Sequence, residues 1–222
     1  MLINESIGEQ LLIEVWGSSC ASVSDSSVIE SVETSPKDGK LRFEGIFMQA
    51  EKINGNKRLY PKYILENAVN NYIKQQVETK QALGEMNHPP RSTIDPMNAC
   101  ILIEKLWWKG NDVWGRAVVI EGDNGAGDKL AALIRAGWVP GVSSRGIGRL
   151  KDSGQGYFIV QEGYRLAVGV DVVWGPSAPD AYVKPLKENV INKTESNDSS
   201  KLSESNSFNK LSKQLEKLII KE

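Results

Sequence analysis

The residues that could carry out chemistry in this sequence are one histidine, a pair of serines and a buried-looking aspartate. The histidine, His88, lies in the stretch GEMNHPPR at 84–91 and is followed by two prolines. Pro89 disfavours helix at the preceding residue, so we expect His88 on an extended, rigid segment. Imidazole is the side-chain base best suited to neutral pH. The alternative is an ordinary loop histidine with no catalytic task, since loops commonly carry polar residues.

Two adjacent serines, Ser143 and Ser144, lie in the glycine-rich stretch GWVPGVSSRGIG at 137–148. Small neighbours leave a hydroxyl accessible and allow a substrate backbone to approach. Serine becomes a nucleophile when a base takes its proton, and nearby backbone N–H groups can stabilise an oxyanion. The spacing differs from the Gly-x-Ser-x-Gly turn of α/β-hydrolases, because Gly146 comes one residue too late for Ser143. A glycine-rich strand or turn without a catalytic role is the alternative.

An aspartate, Asp171, interrupts the apolar run Val168–Pro176. A carboxylate in an apolar strand is costly unless it is paired or faces a polar site. Strand alternation places Asp171 on the face opposite Val170 and Val172. There it could orient a histidine ring and stabilise its protonated form, or that face could simply be exposed to solvent.

Composition argues against several other classes of function. Lys and Arg number 27 against 28 Asp and Glu, for a net charge of −1, which does not suit a general nucleic-acid binder. One histidine and two cysteines, Cys20 and Cys100, are too few for the usual zinc sites or for a disulfide scaffold, and they suggest a reducing compartment. We therefore expect no metal or cofactor. No apolar run approaches the roughly 20 residues that cross a bilayer, and no signal peptide is expected.

The elements that must position these residues are mostly strands. Pro61 and the apolar spacing through Val77 predict one helix, and a second is predicted from about Asp128 to Gly137. Runs rich in β-branched and aromatic residues predict strands at 10–16, 41–48, 99–108, 113–120, 142–150, 157–161 and 166–174. Strands outnumber helices and are joined by turns, which predicts an α+β fold built on an antiparallel sheet or barrel.

The length of 222 residues suits one domain with a tail. We assign the domain to residues 1–187, with a mobile serine-rich loop at 18–40. Residues 188–222 are predicted to be disordered because apolar residues are almost absent until the end. That end carries an apolar helical face, which predicts either a frayed terminal helix or a peptide that docks on a partner: Phe208, Leu211, Leu215, Leu218 and Ile219.

Four stretches of the sequence together resemble the prohead core proteases of T-even bacteriophages. They are GEMNHPP at 84–90, LWWKGND at 106–112, AGWVPGVSSRG at 136–146 and WGPSAPDA at 174–181. The likeness runs from about Leu11 to Pro185. It implies a serine endopeptidase related to the herpesvirus assemblins, with an antiparallel β-barrel surrounded by helices. It also implies a location inside the viral prohead in the host cytoplasm, where scaffold, core and capsid proteins are cleaved during head maturation.

The resemblance also assigns roles to individual residues. It places the catalytic histidine at His88 and the nucleophile at Ser143, with Ser144 as the alternative. The assemblins use a second histidine as the third member, which this chain lacks, and we assign that role to Asp171. Support for the oxyanion and the substrate is expected from the residues after the nucleophile: Ser144, Arg145 and Gly146.

Self-processing is a further implication of the resemblance. The T-even enzymes are described as cutting after glutamate in the pattern Leu or Ile, any residue, Glu. Among the tripeptides of this kind, those that end at Glu14, Glu188 and Glu204 are the candidate self-cleavage sites, which predicts a zymogen that trims itself autocatalytically. The alternative is a non-catalytic scaffold or head-assembly protein that binds partners through its terminal segment. Expected partners are the protein substrates and a second copy of the chain, with no membrane span and no direct role for nucleic acid.

Overall fold

A computed structural model of the chain describes residues 7–14 and 38–186. The contacts divide the chain into two units, 1–188 and 189–222, and all described residues lie in the first. The predictions of a tail at 188–222 and of cleavage after Glu188 and Glu204 therefore lie outside the described residues, as does most of the predicted loop at 18–40. No helix among the described residues is long and apolar enough to cross a bilayer.

Two α-helices form where apolar spacing predicted them. The first, α1 (Lys62–Tyr72), begins after Pro61 and continues as a π-helical turn at Ile73–Val77. The second, α2 (Ala126–Arg135), begins two residues earlier than predicted. Its first turn lies against the backbone of Ile120, because a Cβ added at Gly127 would come within 1.5 Å of the Ile120 carbonyl oxygen. A short 3-10 turn lies at Pro96–Asn98.

The described residues form ten strands. These are β1 (Ile7–Ile13), β2 (Arg42–Gln49), β3 (Arg58–Leu59), β4 (Leu83–Glu85), β5 (Ala99–Lys109), β6 (Asp112–Val119), β7 (Gly141–Asp152), β8 (Phe158–Val160), β9 (Arg165–Val173) and β10 (Val183–Pro185). Every predicted strand has a counterpart. The prediction missed β3, β4 and β10 because two or three residues are too few to show an alternating pattern.

The strands form two five-stranded sheets. The first has the order β1-β7-β8-β3, with β9 also paired to β7, and the second has the order β10-β2-β6-β5-β4. Both β1 and β9 pair with residues 145–147 of β7, so they lie on its two opposite edges. All pairings between strands are antiparallel except that of β3 with β8. The predicted α+β class is therefore confirmed.

Two isolated bridges join the margins of the sheets. Met86, just after β4, bridges Val172 of β9, and Gly141 of β7 bridges Tyr182, just before β10. Single bridges are not continuous ladders, and among the described residues no closed barrel is formed, so the barrel stays a prediction. The Met86–Val172 bridge is the contact that brings the His88 segment to the C-terminal end of β9.

Candidate active site

His88 is held against β9 by the backbone around it. Asn87 donates its N–H to the Val172 carbonyl at 2.7 Å, next to the Met86–Val172 bridge. Asn87 itself has a φ of +63°, a left-handed conformation that asparagine tolerates, and it turns the chain toward Asp171. The His88 side chain is only 1% exposed, so it is not an ordinary surface-loop histidine.

The His88 ring is paired with Asp171. Its Nδ1 lies 2.7 Å from Asp171 Oδ2, and the Asp171 side chain is fully buried. A carboxylate only accepts hydrogen bonds, so Nδ1 must carry the proton. In the neutral ring the lone pair is then on Nε2, which is the form a general base requires. Nε2 is itself buried and has no hydrogen-bond partner among the described residues.

Asp171 belongs to a buried cluster of charges. Arg145 Nε lies 2.6 Å from Asp171 Oδ2, and Arg145 Nη2 lies 3.1 Å from Oδ1 and 2.6 Å from Glu85 Oε2. The Glu85 N–H also donates to Asp171 Oδ1 at 2.8 Å. Arg145 and Asp171 are fully buried, and Glu85 is 1% exposed. Charges buried this deeply are tolerated because they are paired and hydrogen-bonded.

The segment after His88 closes this cluster. Arg91 donates to Glu85 Oε1, and the carbonyls of Arg91 and Thr93 accept from Arg145 Nη1 at 2.7 and 3.3 Å. Two guanidinium groups, of Arg91 and Arg145, therefore balance the carboxylates of Glu85 and Asp171 beside the imidazole. The Arg145 side chain, expected from the sequence to support the oxyanion, is instead turned toward carboxylates and backbone carbonyls. Its contacts are those of a residue that positions Asp171.

The two serines face opposite sides of β7. Ser143 is the pairing partner of Asp171 in β9, and directly paired residues of an antiparallel sheet project to the same face. On the face of Ser144, a Cβ added at Gly146 or Gly148 would lie 2.4 or 2.9 Å from the Tyr164 side chain. Strand geometry therefore places Ser143, and not Ser144, on the side of Asp171. Both serines are buried, with exposed fractions of 3% and 6%.

The Ser143 hydroxyl makes no hydrogen bond with His88. It donates to the backbone carbonyl of Glu14, immediately after β1, and the Ser177 N–H reaches the same carbonyl oxygen at 3.2 Å. No hydrogen bond joins His88 to either serine among the described residues. The structure thus brings the predicted histidine and aspartate together. It places the predicted nucleophile on the strand next to Asp171, with its hydroxyl on a peptide carbonyl.

Glu14 itself lies in a polar pocket that sequence reasoning missed. Its carboxylate accepts from Asn54 Nδ2 at 2.6 Å, from Asn56 Nδ2 at 3.1 Å and from Arg58 Nη1 at 2.8 Å, and also from the Tyr60 hydroxyl. Only 4% of Glu14 is exposed. The pocket residues come from NGNKRLY at 54–60, which in the sequence resembles any polar turn and carries no distinguishing signal.

The Glu14 carboxylate affects the pKa of Tyr60, and a pocket lies next to Ser143 and Ser144. Burial and the Glu14 carboxylate raise the pKa of Tyr60 well above its usual value, so its hydroxyl remains a donor. A small pocket beside the serines has Glu14, Ser143 and Ser144 among its lining residues. No group of three or more His, Cys, Asp or Glu residues is arranged to hold a metal ion in the described part of the chain.

Comparison with known proteins places this arrangement in a family. The model of the prohead core protein serine protease family matches residues 11–198. The prohead core protein protease of Enterobacteria phage T4 is 63% identical over 183 residues, which is 79% of this chain and 84% of that protein. A solved structure of the bacteriophage T4 capsid assembly protease aligns with a TM-score of 0.66 and 61% identity, over 76% of this chain and 99% of that one.

Proposed function

The chain belongs to the prohead core protein serine protease family, and we propose that it is the serine endopeptidase that cleaves scaffold, core and capsid proteins inside the phage prohead. The observation that carries the proposal is the His88–Asp171 pair, which lies on the same side of the sheet as Ser143. A buried imidazole with its Nδ1 on a carboxylate and its Nε2 unpartnered is arranged to accept a proton. The site of action is then the prohead interior, within the host cell.

In the proposed mechanism the Ser143 oxygen attacks the carbonyl carbon of the scissile peptide. His88 Nε2 takes the hydroxyl proton and then gives it to the leaving nitrogen, so that the C–N bond breaks and an acyl-serine forms. Water, deprotonated by the same nitrogen, hydrolyses that ester and restores the hydroxyl. Asp171 holds the ring and stabilises its protonated form, while Arg145 and Glu85 fix Asp171 in place.

Backbone N–H groups are the oxyanion donors in this proposal. The predicted donors follow the nucleophile in β7, from Ser144 to Gly146. The Ser177 N–H is a further candidate, because it already contacts the carbonyl oxygen to which the Ser143 hydroxyl donates. Donors that are fixed before reaction stabilise developing charge without reorganisation, which is why backbone groups serve this role well.

Cleavage after glutamate and self-processing are part of the same proposal. Glu14 supports it, because the carbonyl of this residue lies against the Ser143 hydroxyl. The other two candidate sites, Glu188 and Glu204, remain predictions from the sequence. Substrates are proteins, and self-association into a homo-oligomer is a further prediction.

Replacement of the nucleophile tests the function. We expect Ser143→Ala to reduce cleavage of purified scaffold protein by several orders of magnitude, because the nucleophile and its base act as a unit. The matched control is Ser144→Ala, which should cleave at close to the wild-type rate. Should Ser143→Ala cleave normally, the nucleophile is misassigned. If wild type, Ser143→Ala and His88→Ala all support normal head maturation, the non-catalytic scaffold role holds instead.

A further inference from the structure

We infer that Trp174 is a specificity-determining residue, whose exposed indole ring binds an apolar side chain among the first three residues after the scissile bond of the substrate. This inference rests on the proposed peptidase function and adds to it the surface that holds the leaving peptide. The catalytic mechanism does not use Trp174, so the inference can fail while the mechanism stands.

Trp174 is exposed in the middle of a buried stretch of chain. Its exposed fraction is 61%, whereas residues 168–173 before it and 175–177 after it are all buried. A single exposed apolar side chain is common at a protein surface and by itself indicates no function. Trp174 differs from such a residue in its position, because the buried residues on both sides of it contact the catalytic strands.

The residues before Trp174 belong to the catalytic site. Asp171 lies three positions earlier, and the Val172 carbonyl accepts the Asn87 N–H at 2.7 Å, next to His88. A strand advances about 3.3 Å per residue, so the backbone of Trp174 lies no more than roughly 10 Å from that of Asp171. An extended peptide covers that distance in three residues, which sets the range of substrate positions that the ring can reach.

The residues after Trp174 lie over the strand of the nucleophile. A Cβ added at Gly141 of β7 would come within 2.5 Å of Pro176 Cδ. Gly141 and Ser143 share one face of β7 by strand alternation, so Pro176 lies on the Ser143 face. One residue later, the Ser177 N–H donates to the carbonyl oxygen that also accepts from the Ser143 hydroxyl. The segment that carries Trp174 thus begins at the strand of the acid and ends beside the nucleophile.

The base determines on which side of Ser143 the leaving peptide lies. In the proposed mechanism His88 Nε2 gives its proton to the nitrogen of the scissile bond, so that nitrogen must come within hydrogen-bond reach of the ring. The ring is bound to Asp171, and Ser143 pairs directly with Asp171 across the two strands. The leaving peptide therefore departs on the β9 side of Ser143, which is the side on which Trp174 follows β9.

An indole ring at this position suits an apolar side chain of the leaving peptide. Tryptophan offers a large apolar surface and has only two side-chain torsions to fix, so little conformational freedom is lost on contact. The backbone around it is held by the pairing of Val173 with Gly141 and by the fixed φ of Pro176. A surface that is fixed before binding is used at a smaller loss of entropy than one that must be ordered.

The contact is tested with peptides that share Leu-Lys-Glu before the cut, as at 186–188, and differ after it. One peptide continues with three serines, and three others carry a single leucine at the first, second or third of these positions. The full chain is first incubated until its mass is constant. Wild type should then cleave one leucine peptide with a kcat/KM about tenfold above that of the serine peptide. Trp174→Ser should lower this leucine/serine ratio to nearly one.

Two variants control for damage to the structure. Trp174→Phe keeps an aromatic surface and should keep most of the preference for leucine. Tyr63→Ser removes an aromatic ring of equal exposure, 61%, from α1 and should keep the wild-type ratio. Damage to the catalytic groups lowers both rates together and leaves the ratio unchanged. Should Trp174→Ser not fold, Trp174→Gln replaces it under the same criterion.

The leaving side is tested separately through the acyl-serine. An added amine can replace water: its nitrogen attacks the ester carbon and loses a proton to His88 Nε2, and the Ser143 oxygen leaves and takes that proton. The amines are tripeptide amides with the sequences that follow the cut. Wild type should transfer the acyl group to the preferred leucine amide about tenfold more often than to the serine amide, measured by mass spectrometry. In Trp174→Ser the two amides should react equally.

Each failure has its own meaning. Equal wild-type rates on all four peptides overturn the inference, as does a preference for leucine that persists in a folded Trp174→Ser protein. An unchanged ratio together with an altered oligomeric state in Trp174→Ser also overturns it and assigns the ring to a contact between copies of the chain. Cleavage that needs Ser143 in any of these cases keeps the peptidase. Cleavage of no peptide by wild type rejects the peptidase function, and the role of Trp174 with it.

Discussion

At the residue scale, the site depends on how buried charges are paired. Asp171 makes contacts with His88, Arg145 and the Glu85 N–H, so one carboxylate is shared between the base and a structural ion cluster. Such a cluster stabilises the fold only while it is complete, because removing one member leaves the others charged and unpaired. Loss of Arg145 would remove a cationic partner from two carboxylates at once, those of Asp171 and Glu85.

Replacement of Arg145 should therefore be costly. We expect Arg145→Gln to lower the free energy of unfolding by about 3–5 kcal/mol, measured by urea titration. The control is Arg165→Gln, which breaks the exposed pair with Glu9 and should cost less than about 1 kcal/mol. Equal effects of the two replacements would show that the buried cluster contributes no more than a surface pair.

The candidate residues were recognisable from sequence, but most of their contacts were not. His88 and Asp171 stood out because a lone histidine beside prolines and an acid inside an apolar strand are unusual. Nothing in the local pattern of Asn54, Asn56 or Arg58 marks a binding pocket, since the carboxylate they bind is distant in sequence. Glu85 was missed for the same reason: its partner Arg145 lies 60 positions away.

At the element scale, the start of α2 shows how one side chain organises a loop. The Asp128 carboxylate accepts from the backbone N–H groups of Gly122, Asp123 and Asn124 at 2.6–3.1 Å. Hydrogen bonds from Gly122 and its neighbours hold the pKa of Asp128 below its usual value of 3.8. The sequence predicted a helix from about Asp128, but the helix begins at Ala126 because the preceding loop folds back onto Asp128.

This contact makes a pH-dependent contribution to stability. A carboxyl whose pKa is lower in the folded state stabilises the fold above its unfolded pKa, and the effect is lost as the pH falls through the folded value. Asp128→Asn should therefore lower the Tm at pH 7, and its difference from wild type should shrink below about pH 3.8. Thermal unfolding followed by circular dichroism at pH 7, 5 and 3 measures this; a constant difference would contradict it.

At the scale of the whole molecule, the function depends on how two sheets meet. The strands and the α+β class could be predicted because strand patterns and turn residues are read from neighbouring positions in the sequence. The bridge from Met86, just after β4, to Val172 of β9 joins residues that are distant in sequence, and it depends on close backbone approach at Gly84. A Cβ at that position would lie 2.3 Å from the Val170 carbonyl oxygen and 2.8 Å from the Ile101 side chain.

Widening the junction of the two sheets at Gly84 should impair the active site, although no catalytic residue is replaced. We expect Gly84→Ala to destabilise the protein by roughly 1–3 kcal/mol, as overpacking does. Peptidase activity should fall further than stability accounts for, because β4 carries the His88 segment. Activity measured well below the Tm separates the two effects. Gly8→Ala is the control, since a Cβ there meets nothing within 4 Å. Full activity in Gly84→Ala would argue that His88 is placed independently of the junction.

The distribution of the proposed triad over the two sheets has a consequence for biosynthesis. Ser143 and Asp171 belong to one sheet, and His88 lies just after β4, an edge strand of the other sheet. In a half-folded polypeptide, the hydroxyl and the acid lie apart from the histidine that would activate them. Cleavage of neighbouring chains is therefore delayed until the two sheets have come together. Completion of folding itself thus protects those chains.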